Sequence, residues 1–335
     1  MINISAPTEL KLLSEDKHYQ GQACKICTNN AGNKLHVALE MMFGYKHSFE
    51  YIECGECGTV QIKAPPVNLP EYYQGHYYSF SNESLLKRLI DQKIAKFTMG
   101  HSSVMGQIFS LFFGLNGAIT ALREINATPQ SQILDVGCGN GKLLTRLFEL
   151  GFKNLKGIDK YLPDDFVNLH PFPIKKTSLE SIPDSYDIIM LNHVFEHMDN
   201  PHQILLQIKS RLKPKGFCII RIPIAQSYAW RRYGVNWIGL DAPRHLYLYT
   251  KQSMQKLAED SGMTVTKVVF DSNSSQFWAS DQYVQDIPLE SPHSIYCNKF
   301  KLLYSLPKLV IQSSRANKLN KSEQGDQACF FLKSI

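Results

Sequence analysis

Ile133-Leu134-Asp135-Val136-Gly137-Cys138-Gly139-Asn140-Gly141 is the stretch whose reading decides the fold. Three apolar residues flank one acid and give way to alternating glycines, and Leu143, Leu144, Leu147 and Phe148 then resume at helical spacing until Gly151. The pattern predicts strand, tight turn, helix. Glycines let such a turn carry positive φ and bring backbone N–H groups close to a ligand. The next predicted strand, Leu155-Lys156-Gly157-Ile158-Asp159, ends in an acid at the position that hydrogen-bonds a ribose hydroxyl in nucleotide-binding βαβ units. A nucleoside-containing ligand is expected.

The spacing is Gly-x-Gly-x-Gly, without the two-residue gap before the last glycine that marks dinucleotide sites. Asp135, two residues ahead of the first glycine, is a poor neighbour for a pyrophosphate, because two anions would crowd a partly dry cleft. A cationic ligand suits it better. Asp135-Val136-Gly137-Cys138-Gly139-Asn140-Gly141 with Asp159 resembles the first two motifs of class I S-adenosylmethionine-dependent methyltransferases. The resemblance implies an α/β fold: a Rossmann-like seven-stranded sheet with an antiparallel last strand, over residues 129–335. It further implies S-adenosylmethionine as cofactor, held by Gly137, Gly139 and Gly141, by Asp135 near its aminoacyl end and by Asp159 at the ribose. Ser178 and Leu179 would flank the adenine, and Asn192 closes the fourth strand, Tyr186 to Leu191, beside them.

A chain of 335 residues has room for one large domain and an accessory unit. Its 36 basic and 30 acidic residues give a net charge of +6, mild and spread, which does not by itself argue for nucleic acid. The first residues carry no basic run followed by an apolar stretch, so no signal peptide is read and a cytoplasmic location is expected.

Of eight cysteines, four form Cys24-Lys25-Ile26-Cys27 and Cys54-Gly55-Glu56-Cys57. Two Cys-x-x-Cys pairs read as a four-thiolate structural zinc site on knuckle turns, with Gly58 supporting the second turn. A disulfide pair is the competing reading, disfavoured in a reducing compartment. Alternation at Leu35, Val37 and Leu39 and then Phe49, Tyr51 and Ile52 predicts short strands between the knuckles, so residues 21–66 read as a zinc ribbon after a tail, 1–20. Residues 67–128 follow as a linker and helical segment. Pro65-Pro66 and Pro70 stiffen the connector, and Tyr72 to Tyr78 concentrate aromatic rings that suggest either a lid, with Tyr77 against the substrate, or packing between ribbon and main domain. Phe97 to Leu122 contains no acid, lysine or arginine. Its glycines and polar residues argue against a membrane span, and an amphipathic helix packed on the domain or lying on a membrane face fits better.

The block after the fourth strand, Asn192-His193-Val194-Phe195-Glu196-His197, sits where an open α/β sheet places ligand chemistry. His-x-x-Glu-His is also an inverted zinc-protease signature, but that needs one long helix, whereas here a strand precedes and Asp199-Asn200-Pro201 follows. The block resembles the fourth motif of methyltransferases related to the ubiquinone-pathway O-methyltransferases. Some relatives hold a divalent ion with such a cluster, which makes Glu196 and His197, with His193 and His245, ligands for a second metal; the alternative is a network that fixes the loop.

Between the strand ending at Pro223 and the helix near Thr250 lies an insertion with Trp230, Tyr233, Trp237 and Pro243-Arg244-His245. Residues 223–249 are the expected substrate loop and 272–325 a second excursion. The loop is similar to that of a bacterial subgroup that also carries an N-terminal Cys-x-x-Cys ribbon, many of whose members act in surface-polysaccharide or nucleotide-sugar chemistry. That implies a small saccharide-related acceptor. His245 is the candidate base, with His193 second, because imidazole titrates near neutral pH. Arg244 would grip a substrate anion, and Trp237 would line the pocket. One rival is an rRNA or tRNA methyltransferase with an RNA-binding ribbon, against which the missing basic stripe speaks; the other is a non-catalytic cofactor-binding module, against which the intact glycines and Asp159 speak.

Overall fold

The computed structural model describes residues 18–19, 21–73, 84–162 and 170–335, with the side chains of 111–113 left aside; Tyr77 lies outside the described residues. The chain begins with β1 (His18–Tyr19), β2 (Asn33–Leu39), β3 (Ser48–Glu53) and β4 (Val60–Ile62). Three helices follow, α1 (Leu85–Thr98), α2 (Val104–Phe113) and α3 (Gly117–Glu124). The main layer then alternates β5 (Ile133–Val136), α4 (Lys142–Glu149), β6 (Leu155–Ile158), β7 (Ile174–Lys175), β8 (Tyr186–Asn192), α5 (Pro201–Arg211) and β9 (Leu212–Pro223). It ends with α6 (Tyr228–Tyr233), β10 (Tyr247–Leu248), α7 (Lys251–Asp260), β11 (Met263–Phe270), α8 (Ser275–Val284), α9 (Lys299–Lys321) and β12 (Gln327–Ser334).

Seven strands form one mixed sheet in the order β11-β12-β9-β8-β5-β6-β7. β7 through β9 run parallel, and β12 slots antiparallel between β11 and β9. The expected antiparallel last strand is therefore present. β5 and β8 are apolar almost throughout because helices cover both faces of a parallel sheet. β9 starts at Leu212, so the Lys213-Pro214-Lys215-Gly216 stretch is already strand.

The acid-free stretch 97–122 does not form one helix. Gly100 and Gly114 take φ of +88° and +78°, breaking it into the end of α1, all of α2 and most of α3. Within α3, Ile119 and Leu122 are fully buried against Leu144, Leu147 and Leu155 of the sheet layer. Among the described residues no helix is long and apolar enough to cross a membrane.

The ribbon does not stand apart. β4 pairs antiparallel with β10, which puts a strand from the 223–249 insertion at the edge of the ribbon sheet β1-β2-β3-β4-β10. Ribbon residues Ile26, Tyr51 and Val60 share one apolar cluster with Phe195, Trp237 and Tyr249. Thr250 Oγ1 donates to the Cys57 carbonyl at 2.7 Å while its side chain also caps α7.

Arg244 ties the two parts together from inside. It has no exposed surface, and its guanidinium reaches Asp241 at 2.6 Å, Glu40 of the ribbon at 3.0 Å and the Tyr72 carbonyl at 3.2 Å. The Glu40 carboxylate also accepts backbone N–H groups, from Met42 and Phe43 at the oxygen Arg244 reaches and from Gly44 and Tyr45 at the other, at 3.0–3.1 Å. This corrects the expectation that Arg244 grips a substrate. Trp237 is corrected likewise: it is fully buried and donates from Nε1 to Asp326 at 2.9 Å. Replacing Arg244 by leucine strands two buried carboxylates, and we expect a loss of about 3–5 kcal/mol in denaturant unfolding; a loss below about 1 kcal/mol would show that the ion pairs do not hold the ribbon in place.

Candidate active site

The cofactor cleft forms where β5 ends. Gly137, Gly139 and Gly141 all take positive φ (70°, 52° and 73°), and Gly137 and Cys138 donate their N–H groups to the Ile158 carbonyl at 2.7 and 3.1 Å. The turn is thereby stitched to the end of β6. A β-carbon on Gly137 would lie 2.5 Å from the Val194 side chain, so the turn and the loop after β8 touch here.

Asp159 follows β6 and accepts the Gly139 N–H at 3.0 Å and the Tyr161 N–H at 2.8 Å. Asp135 is buried beside it. Burial first, and the Asp159 charge second, push the Asp135 carboxyl up to about 7, and burial raises Asp159 as well. Two acids forced together in a dry cleft fit a cationic ligand, the inference drawn above from position alone. Ser178 precedes a short 3-10 turn, and Leu179 inside it is buried in the cluster that includes Ile158. Asn192, at the end of β8, accepts from Arg221 Nη1 at 3.2 Å.

Arg221 escaped the sequence reading. A charge within Cys218-Ile219-Ile220-Arg221-Ile222 was the available signal, because a central strand admits one only with partners. It pairs with Asp271 and takes up the Nε2 of His193. His193 itself sits at φ +57°, its Nδ1 3.5 Å from Glu196 Oε1. With Nε2 engaged by a guanidinium, the ring has no free basic nitrogen facing an acceptor, which corrects the second candidate base.

Glu196, His197 and His245 converge. Their ligand atoms lie within 4.8 Å of one another, and the two imidazole rings are 4.8 Å apart between centroids. His245 turns Nδ1 to the Gly239 carbonyl at 2.8 Å, and His197 turns Nδ1 to the Arg244 carbonyl at 2.8 Å. An Nδ1–H that donates to a carbonyl leaves Nε2 with its lone pair. Burial first, then the nearby His245, lowers the His197 pKa. Glu196 is fully buried and neither carboxylate oxygen has a hydrogen-bond partner. Burial alone would raise its pKa, but His193, His197 and His245 outweigh it and hold the group lowered to about 2. His245 Nε2 lies 3.8 Å from both Glu196 and Asp241. Tyr73, whose hydroxyl is 3.2 Å from His197 Nδ1, and Asp241 were not singled out from the sequence, since only the fold brings them here.

The four ribbon cysteines form a second cluster. Cys24 and Cys57 sulfurs are 3.7 Å apart, those of Cys27 and Cys54 are 3.5 Å apart, and all eight cysteines are free thiols. Tetrahedral Zn–S bonds of about 2.3 Å put sulfurs about 3.8 Å apart, so the set fits zinc. The knuckles close through Thr28 N–H to the Cys24 carbonyl at 2.9 Å and Gly58 N–H to the Cys54 carbonyl at 3.0 Å.

Two outcomes follow for the cleft. Since a cationic cofactor needs Asp135 ionised, its affinity is expected to fall about tenfold per unit as pH drops below about 7 and to level off above, with Asp135→Asn removing the slope; isothermal titration of S-adenosylmethionine across pH 5.5–8.5 reads this, and a flat wild-type profile would refute it. Gly137→Val is expected to abolish binding in the same assay while the far-UV spectrum stays unchanged.

Residues 115–268 match the family model described as a methyltransferase domain. Among curated relatives, a ubiquinone biosynthesis O-methyltransferase of Rickettsia canadensis is 23% identical over 180 residues, covering 47% of this chain and 73% of that protein. One from Rickettsia bellii is 32% identical over 107 residues, 28% of this chain and 43% of the relative, and the mitochondrial one of Saccharomyces cerevisiae is 34% identical over 105 residues, 28% and 33%. The chain thus spans less than half the length of the last two. A solved methyltransferase from Archaeoglobus fulgidus aligns with 20% identity and a TM-score of 0.41, over 68% of this chain and 97% of that one. The family match over residues 115–268 and these relatives support an S-adenosylmethionine-dependent methyltransferase.

Proposed function

We propose that the protein transfers the methyl group of S-adenosylmethionine to a hydroxyl of a small organic acceptor, with His245 removing the proton. The observation that carries this is the cluster in which Glu196 and His197, on the loop that touches the glycine turn through Val194, meet His245 of the insertion. His245 presents Nε2 beside Glu196 and Asp241, two acids that stabilise the imidazolium once it has taken the proton. The sulfonium is already a good leaving group, so alignment and exclusion of water supply the rest.

A second reading is favoured by the unpartnered Glu196 oxygens: Glu196, His197 and His245 would hold a divalent cation. One carboxylate and two imidazoles whose Nδ1 atoms already face carbonyls, leaving Nε2 to the cluster, fit that donor set. When bound, such an ion lowers the pKa of an acceptor hydroxyl. We further propose that Cys24, Cys27, Cys54 and Cys57 hold structural zinc, which needs the reducing conditions of the cytoplasm.

For the acceptor we retain a saccharide-related small molecule. A surface cavity of about 390 Å³ lined by Tyr45, His47, Glu71 and Tyr72 opens one residue from Tyr73, and aromatic faces beside a carboxylate suit sugar C–H faces and hydroxyls. An RNA substrate fits less well, because ribbon lysines Lys46 and Lys63 are paired with Asp286 and Glu50.

Transfer of labelled methyl from S-adenosylmethionine into cell-extract fractions tests the substrate class: label among envelope saccharides or sugar nucleotides is expected, whereas label in RNA would overturn it. On the acceptor so found, His245→Ala should lower turnover by about 10²–10⁴-fold with cofactor affinity within twofold. Full activity after chelation and exhaustive dialysis would remove the cation reading, and zinc analysis should return one atom per chain in wild type and none in Cys57→Ser.

A further inference from the structure

α9 turns most of its apolar residues outward. A surface helix normally turns its apolar stripe to the core. Here the inward residues are Gln312 and Ala316, both buried, with Ser305 and Leu309 half-buried. The outward stripe is Phe300, Leu303, Tyr304, Pro307, Val310 and Ile311, at the i, i+3, i+4, i+7 spacing of one helical face. Phe300 is 78% exposed, Tyr304 87% and Ile311 69%. Singly exposed apolar residues are ordinary, but a contiguous stripe over three turns marks a surface that meets something.

Charge says what. Lys299, Lys301, Lys308, Arg315, Lys318 and Lys321 all lie on this helix, which contains no aspartate or glutamate, while the whole chain carries a net charge of only +6. Lys301 reaches the His293 carbonyl and Lys308 is ion-paired with Asp281 of α8, so Lys299, Lys318 and Lys321 are the helix cations left facing outward without an ion pair among those described. Aromatic and aliphatic groups bordered by cations, on a helix too polar to span, are the chemistry of an interfacial segment on an anionic bilayer.

We infer that α9 docks the enzyme on an anionic membrane surface, with Phe300, Leu303, Tyr304 and Ile311 among the acyl chains and the lysines among the headgroup phosphates. The site is separate from the cofactor cleft. The segment belongs to the 272–325 excursion, whereas the acid-free stretch 97–122 drew attention in the sequence only by its lack of charge.

Co-sedimentation of the full chain with vesicles of phosphatidylcholine alone, or with 30% phosphatidylglycerol, tests this. Binding to the anionic vesicles is expected, several-fold weaker at 0.5 M salt. Phe300→Ser/Tyr304→Ser/Ile311→Ser and Lys299→Glu/Lys301→Glu should each weaken partition by about tenfold or more, with the melting temperature and S-adenosylmethionine affinity unchanged because these side chains are exposed. Equal partition of wild type onto neutral and anionic vesicles, or undiminished binding by either variant, overturns the inference. So does a wild-type dimer that the serine variant dissolves without any vesicle binding, which would assign the stripe to a second copy of the chain.

Discussion

The buried pairing of Arg244 with Glu40 and Asp241 is the interaction on which the rest of this structure depends. Three charges have been taken out of water, which costs several kcal/mol per ion unless geometry and hydrogen bonds compensate. Here they do: Asp241 meets the guanidinium through both oxygens, and four backbone N–H groups close on Glu40. The pairing fixes Glu40 and the ribbon loop 41–45 to the insertion.

What makes this functional is the neighbourhood of the backbone it holds. The Arg244 carbonyl accepts from His197, the His245 carbonyl accepts from the Tyr51 hydroxyl at 3.0 Å, and Leu246 bridges Glu196 and Ile62 through its N–H and carbonyl. His197 thus has its tautomer set by the carbonyl of Arg244, a residue that Glu40 of the ribbon holds in place, whereas His245 has its tautomer set by Gly239 within the insertion. The accessory unit packs directly against the Glu196, His197 and His245 cluster through the Arg244, His245 and Leu246 backbone.

The cofactor cleft follows a different logic. Asp135 and Asp159 are held close by the β5 and β6 strand ends, and the desolvation that raises both carboxyls is relieved only when a cation arrives.

Local pattern determined a good deal. The glycine turn, the apolar runs of β5 and β8, the knuckle spacing and the Thr250 cap each rest on a few adjacent residues, and the chain forms them where their chemistry requires. Breaking the 97–122 stretch needed the φ values of Gly100 and Gly114, which sequence leaves open because glycine is permitted inside a helix as well. The fates of Arg244, Trp237 and His193 were decided only by tertiary structure. A buried arginine and a substrate-binding arginine read alike until Glu40, 204 residues earlier, is seen against it. Likewise the Glu196–His197–His245 convergence, the β4–β10 pairing and the outward turn of the apolar face of α9 join residues far apart in the chain. Composition and spacing fix which groups a segment carries; which of them meet is set by the packing of the whole chain.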